Sequence, residues 1–307
     1  MKIYVPYHSG GAGSWIYEGY FGAWNFLGYD VEYYNSILDI DTPEEYMVMA
    51  VEGALNHSDR ETRNILGKAK EVFMFVQPHK FPEPWGMHPN FISMAPDDFV
   101  EFVNSTDNIH LWSFADTSNV NFWDKWKTVN YVPLAFDSVN YIEEVDEDFK
   151  YDICYVGGTA NNGFDEKRKI MSEYFSALEN LNIKMGIFIN CNISRQEEST
   201  LLCSSKISLN IHDRYQHVLG LDCNERTFKS LGLNGFLISD KVKILDGLNL
   251  KIPQANSPEE MCTLVTKYLD LEKSSFCDIK TKNKERIIKD HTYVERVKYF
   301  LSHVVKN

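Results

Sequence analysis

Short apolar runs alternate along this chain with stretches whose apolar residues recur at helical spacing. Residues 1–6 predict a strand, then comes the loop His8-Ser9-Gly10-Gly11-Ala12-Gly13-Ser14, a helix over 15–27 and, after a stop at Gly28, a strand over 28–34. That is one βαβ unit with a glycine-rich first turn. Thr42-Pro43-Glu44-Glu45 reads as a capping box with proline in the first helical position and predicts a helix over 43–55. Strands are expected over 72–76, 109–116 and 129–133. The second half predicts a strand over 153–156, a glycine turn over 157–163, a helix over 165–181 and a strand over 184–189. A further strand runs to Ile211, a polar loop opens at His212, a helix spans 224–232 and a buried strand leads to Asp240. Ser257-Pro258-Glu259-Glu260 caps a helix reaching about residue 271. Residues 282–306 form an amphipathic helical region that breaks near His291-Thr292-Tyr293, with Val294, Val297, Leu301 and Val304 or Val305 on its apolar face. Strands alternating with helices predict an α/β protein of two doubly wound halves.

At 307 residues the chain is long enough for two domains. The expected division is an N-terminal Rossmann-like domain over 1–140, an acidic linker over 141–150, a second Rossmann-like domain over 151–290, and a terminal helix over 291–307 packing back on the first. No apolar run reaches membrane-spanning length and the N-terminus lacks a cleavable signal pattern, so a cytoplasmic location is expected. None of the six cysteines forms a Cys-x-x-Cys pair, which favours thiols over disulfides or zinc. A net charge of −13 opposes a sequence-independent grip on nucleic acid.

The chemistry concentrates in the second half. A strand, a polar loop and a helix start leave backbone N–H groups aimed at the loop, an arrangement that suits the diphosphate of a nucleotide. Arg226 in the first turn adds a cationic fork, and His212 and Arg214 open the loop as candidate clamps for phosphate charge. Gly157 and Gly158 form a second phosphate-compatible corner before a helix. In the first half, Gly10 and Gly11 permit close approach of backbone to a ligand. The sequence Gly11-Ala12-Gly13-Ser14-Trp15-Ile16 supplies only two glycines of a dinucleotide fingerprint. Asp39-Ile40-Asp41 has the Asp-x-Asp form of a metal site, yet the helix start behind it accounts for these residues without a metal. The proline-rich loop 77–89 follows a strand's carboxyl end, where open α/β sheets bind ligands. His79, Lys80, Trp85 and His88 there either line a pocket or brace the loop.

Four segments carry a resemblance: Leu209-Asn210-Ile211-His212 with Asn224-Glu225-Arg226-Thr227-Phe228-Lys229, Tyr151-Asp152-Ile153-Cys154-Tyr155-Val156-Gly157-Gly158, Val132-Pro133-Leu134-Ala135-Phe136-Asp137, and His291-Thr292-Tyr293-Val294-Glu295-Arg296. From about Val132 on, the chain resembles the CgeB-like (spore-maturation type) glycosyltransferases, relatives of the group 1 glycosyltransferases of GT-B fold. The resemblance implies two Rossmann-like doubly wound domains facing a cleft, and sugar transfer from a nucleotide-diphosphate donor such as a UDP- or GDP-sugar to a glycan, protein or small-molecule hydroxyl, without a metal or other cofactor. It assigns the donor to Gly157, Gly158, Arg168 (or Lys167), Asn190, Arg214, Asn224, Glu225, Thr227 and Lys229, with His212 and Arg226 catalytic. Lys167 and Arg168 also read as solvated members of a charged cluster. His8, Gly10, Gly11, Glu18, His79 and Trp85 fall on the acceptor side, with His8, Glu18 or His79 as the base of an inverting reaction. Lys229 departs from the family, which has Glu there, so Glu225 or Asp222 becomes the candidate partner of a ribose or sugar hydroxyl. The rival readings are a sugar-nucleotide epimerase or hydrolase, a non-catalytic sugar-nucleotide-binding module, and a DNA-modifying glucosyltransferase, the last opposed by the acidic charge.

Overall fold

Strands that are apolar on both faces need cover on both sides, which parallel sheets obtain from the helices of their crossovers. Both halves of the chain are built this way. A computed structural model describes residues 1–159 and 166–304 and divides the chain into two units, Met1–Pro133 with the chain from Tyr293 onward, and Leu134–Thr292.

In the first unit the elements follow as β1 (Lys2–Pro6), α1 (Gly11–Phe26), β2 (Asp30–Tyr34), β3 (Met47–Val51), α2 (Arg60–Lys68), β4 (Glu71–Phe75), α3 (Asp97–Ser105), β5 (Ile109–Ser113) and β6 (Val129–Tyr131). The strands form one parallel sheet in the order β2-β1-β3-β4-β5-β6. Strand β3 corrects the expected helix over 43–55. Thr42 adopts φ 48° and makes no side-chain cap, Pro43–Glu45 is a single 3-10 turn, and Met47–Val51 pairs between β1 and β4. Met, Ala and Val carry no helix-breaking signal, and the burial of a central strand overrides their local preference. Helix α1 begins at Gly11 rather than Trp15, so part of the glycine-rich stretch is its first turn.

The second unit runs β7 (Ile153–Gly157), α4 (Glu166–Leu178), β8 (Met185–Ile189), α5 (Arg195–Ser204), β9 (Ile207–Asn210), α6 (Arg214–Leu219), α7 (Arg226–Gly232), β10 (Leu237–Asp240), β11 (Gln254–Ala255), α8 (Pro258–Leu269) and α9 (Lys273–Asp290). Its sheet is parallel in the order β8-β7-β9-β10-β11. Ser194 and Glu197 form a capping box at the start of α5, and Ser257 accepts from the Glu260 amide at the start of α8. The core collects Ile153, Tyr155, Phe175, Leu209, Ile238 and Met261. The expected polar loop after His212 contains helix α6, and α9 starts nine residues ahead of the expected 282. Residues 160–163 of the expected glycine turn, the expected helix start at 165, and Val305 lie outside the described residues. No helix among the described residues is long and apolar enough to cross a membrane.

After His291 the chain turns into α10 (Tyr293–Tyr299) and joins the first unit. The Tyr293 ring meets Tyr20 at 4.8 Å, Phe300 meets Phe73 at 5.0 Å and Trp112 at 5.4 Å, and Arg296 Nε donates to the Pro133 carbonyl at 2.8 Å. Tyr293, Val297 and Phe300 are buried, so the seam is wider than the expected valine face. Gly19 on α1 permits this approach, because a Cβ there would stand 2.3 Å from the Tyr293 ring. Gly19→Ala is therefore expected to destabilise the protein by about 1–3 kcal/mol through overpacking. Urea unfolding checks this, and a variant as stable as the parent would contradict the packing described.

Candidate functional site

In open α/β sheets the chain order reverses at one point, and the carboxyl ends of the two strands flanking it splay their following loops apart. In the second unit that point lies between β7 and β9. Arg226, the first residue of α7, bridges it. Its Nε donates to the Val156 carbonyl on β7 at 2.6 Å, its Nη1 donates to Asn210 Oδ1 at the end of β9 at 3.0 Å, and its guanidinium lies 4.4 Å from the centre of the Tyr155 ring. Gly157 leaves room for it, since a Cβ there would come within 1.9 Å of Arg226 Nη2. The amides of Thr227 and Phe228 already donate to the carbonyls of Asn224 and Glu225. The first turn of α7 thus spends those amides on itself, and fixed cations carry the positive character of this corner.

A buried relay lies beside it. Asp240, at the end of β10, accepts from the His212 backbone N–H at 2.7 Å, lies 2.6 Å from His212 Nδ1, and lies 2.7 Å from His217 Nε2 on α6. His212 and Asp240 are both fully buried. Burial alone would raise the Asp240 carboxyl, but the two histidines hold it well below the usual carboxylate range. Burial favours the neutral His212 ring. Its Nδ1–H then faces Asp240, and Nε2 is left to accept from Asn210 Nδ2 at 3.4 Å. The Asn210 amide donates also to Thr227 Oγ1 at 2.9 Å. Lys167 on α4 reaches the same place, donating to the Ile211 carbonyl with Asp213 Oδ2 at 3.7 Å. Burial, with Arg226 nearby, brings its ammonium down to about 8 against the pull of Asp213.

Residues 155–302, a little under half of the chain, match a family model described as glycosyl transferase-like. No curated protein sequence matches the chain. Among solved structures it is similar to T4 phage BGT in complex with its UDP-glucose substrate, with 12% identity, 97% of each chain covered and a TM-score of 0.57. It is also similar to an E. coli trehalose-6-phosphate protein bound with UDP-2-fluoro glucose, with 8% identity over 100% of this chain and 99% of that one and a TM-score of 0.60. The N-terminal domain of Candida albicans trehalose-6-phosphate phosphatase aligns over 98% of this chain and 77% of that one, with 10% identity and a TM-score of 0.54. The fold is GT-B.

Within this GT-B chain the expected donor residues divide. Gly157, Asn224, Glu225 and Arg226 gather at the carboxyl ends of β7 and β9. Gly158 and Asn190 lie next to them, where Asn190 Oδ1 accepts from the Thr159 amide at 2.8 Å. Arg168 and Arg214 are exposed, and Lys167, not Arg168, points inward. Periodicity could have separated the two, because Lys167, Met171 and Tyr174 lie on one helical face. Thr227 is fully buried and committed to Asn210. His212 is enclosed and held by Asp240, so it supports neighbouring side chains. Asp240, His217, Asn210 and Tyr155 were not singled out as site residues, because their partners lie far off in the chain: Asp240 is 28 residues from His212 and 23 from His217, and Asn210 is 16 from Arg226.

Lys229, expected among the donor residues, is engaged by a carboxylate of the chain itself. Its Nζ donates to both Glu198 oxygens on α5 at 2.8 and 2.9 Å, with the Tyr141 hydroxyl donating to Glu198 Oε2 at 2.8 Å. Glu225 Oε2 stands 4.0 Å from the same Nζ. Burial pushes the Glu225 carboxyl up to about 7 against the pull of Lys229. Asp222, which faces Tyr215 Oη at 3.5 Å, is likewise raised by burial, to about 6.

In the first unit, His8 follows β1 and stacks on Tyr17 of α1 at 4.9 Å, and partial burial lowers its pKa. Gly10 and Gly11 are exposed, and Glu18 is half-buried on α1. Trp85 is buried and braces the 77–89 loop. His79 packs on Trp126 at 4.7 Å, its two ring nitrogens buried without a hydrogen-bond partner among the described residues. Lys80 pairs with Asp124, and His88 Nδ1 accepts from the Asn90 amide. Among the described residues no group of three His, Cys, Asp or Glu side chains is arranged to hold a metal.

Removing one member of a buried ion pair leaves the other charge uncompensated. Lys229→Met is expected to cost about 3–5 kcal/mol on that ground. Adding Glu198→Gln should recover part of the loss. Urea unfolding of the two variants measures it, and equal losses would show that the pair is not the stabilising contact.

Proposed function

We propose that the chain transfers a sugar from a nucleotide-diphosphate donor, uridine-based in the first instance, to a hydroxyl acceptor. The observation that carries this is Arg226, a guanidinium fixed by two hydrogen bonds and an aromatic face at the sheet's reversal point. Such a cation needs no reorganisation when charge builds on a leaving diphosphate, and preorganised charge of this kind is a large catalytic contribution. Lys167 supplies a second cation, and the buried Oδ1 of Asn224, which has no partner among the described residues, supplies an acceptor for a ribose or base N–H or O–H group. The UDP-glucose and UDP-2-fluoro glucose held by the two structural relatives favour a UDP-sugar.

In the proposed reaction an acceptor oxygen bonds to the anomeric carbon, the bond from that carbon to the diphosphate oxygen breaks, and the nucleoside diphosphate leaves with the electron pair. The acceptor proton goes to a base on the first unit if the reaction inverts. His8 suits that task best, because it is half-exposed and held neutral, whereas the nitrogens of His79 are enclosed. In this reading no metal is required, because Arg226 and Lys167 neutralise the diphosphate. The acceptor is a glycan, protein or small molecule. One similar structure is of a DNA-modifying enzyme, but the first unit here carries 19 acidic and 11 basic side chains, a balance that repels a polyanion. The six cysteines are unpaired, and we place the protein in a reducing, cytoplasmic compartment.

Arg226→Ala is expected to weaken UDP binding about tenfold to hundredfold by calorimetry, in buffer containing EDTA. Gly157→Ala should act in the same direction, because its methyl displaces the guanidinium while the charge remains. Unchanged affinity in both variants would place the donor elsewhere. A second expectation concerns protons. With Lys167 near 8, a bound diphosphate favours its charged form, so binding at pH 8–8.5 should take up protons and affinity should fall as pH rises further. Calorimetry in buffers of different ionisation enthalpy reads this, and Lys167→Met should reduce the uptake. Equal uptake in parent and variant would remove Lys167 from the site.

A further inference from the structure

The amino-terminal edge of the second unit's sheet, opposite the edge that holds Arg226, carries a cavity of about 400 Å³. Lys150 precedes β7 and Ser205 and Lys206 lead into β9 on that edge, while the last turn of α8 and the first half of α9 form the rest of the wall. The interior is mostly apolar, from Val145, Tyr268, Leu269, Leu271 and Phe276. Two of these rings are fixed to the core. Phe276 stacks on the buried Phe236 at 4.7 Å and 16°, and Tyr268 lies against the same ring at 4.8 Å. The cavity is therefore built into the packing of α8 and α9, and its size falls in the range of small-molecule sites.

Its charge is unusual for this molecule. In a chain of net charge −13, the charged side chains lining the cavity are all lysines, namely Lys150, Lys206, Lys273 and Lys280. Lys150 is paired with Glu147, and Lys206 lies 2.7 Å from Asp152. Lys273 and Lys280 form no ion pair among the described residues. Lys280 lies along the pocket wall with Nζ 5.7 Å from the centre of the Phe276 ring, and burial lowers its proton affinity. A half-buried ammonium outside any ion pair, on which the Glu143 carboxylate acts only from a distance, lies above an apolar floor and is matched by a ligand with an anionic head and an apolar body.

We propose that this cavity is a binding site for a medium-chain aliphatic carboxylate, with the chain against Tyr268, Leu269 and Phe276 and the head between Lys273 and Lys280. Two ammonium groups outside ion pairs, Lys273 and Lys280, without an arginine fork suit a single carboxylate better than the bidentate seat that a phosphate ester favours. The concave shape and modest volume suit one small molecule, not a helix or a membrane surface. The site does not depend on the sugar-transfer reading and lies on the other edge of the sheet.

Calorimetry on the intact chain with decanoate, and with decan-1-ol as its neutral counterpart, tests the proposal below the micellar concentration. Decanoate should bind at one site and decan-1-ol at least about tenfold more weakly. Lys273→Met and Lys280→Met keep the apolar stems and should each weaken decanoate about fivefold, with little effect on decan-1-ol. Leu269→Trp, which fills the cavity, should block both, and circular dichroism melting verifies that each variant is folded. Equal affinity for acid and alcohol, lysine variants that bind decanoate as the parent does, or binding that survives Leu269→Trp would each overturn the assignment.

Discussion

The second unit depends on one tether. Two neighbouring parallel strands, β7 and β9, run in the same direction while their connections leave on opposite sides, so nothing in the ladder itself closes the gap at their carboxyl ends. Arg226 closes it, through a β7 carbonyl, an Asn210 side chain on β9 and the Tyr155 ring beneath. Because Asn210 is held in turn by Thr227 and His212, the arginine is positioned by α7, β9 and the Asp240 relay together. Each partner in this chain is satisfied, as a buried polar network must be if it is to hold one arrangement. A cation fixed in this way is ready for an anion before the anion arrives.

The sequence made part of this legible and hid the rest for physical reasons. The strands ending at Gly157, Ile189 and Asp240 stand out because central parallel strands are continuous apolar runs, and α8 announces itself through Ser257 and Glu260. Arg226 was legible from its place in the first turn of a helix behind a strand and a polar loop, and the resemblance covers the same segment. Strand β3 was obscured because Pro43-Glu44-Glu45 has the form of a helix start, and only the pairing of Met47–Val51 with two neighbours shows otherwise. The partners of the site lie far apart in the chain: His212 meets Asp240 across 28 residues, Lys229 meets Glu198 across 31, and Arg226 meets Val156 across 70. Local periodicity says nothing about such pairs. Lys167 was ambiguous for another reason, since its cluster of charges hides which one lies on the apolar face of α4.

The lysine at 229 gains its meaning from this long-range pairing. A lysine in place of the carboxylate expected from the resemblance would leave an isolated buried cation, at a cost no small domain sustains. Glu198 on α5 answers it with both oxygens, and the Tyr141 hydroxyl completes that carboxylate's shell. The exchange therefore engages Lys229 with Glu198 and leaves Glu225, 4.0 Å from the same ammonium, as the carboxylate next to Arg226 in the chain. Burial holds Glu225 near 7, at the margin between its two forms. The neutral acid donates a hydrogen bond and the anion accepts one, so in the proposed donor site a sugar or ribose hydroxyl can be met by either state. Its charge then responds to what binds: a diphosphate beside Arg226 adds negative potential and favours the protonated form, so that donor binding and protonation of Glu225 reinforce each other.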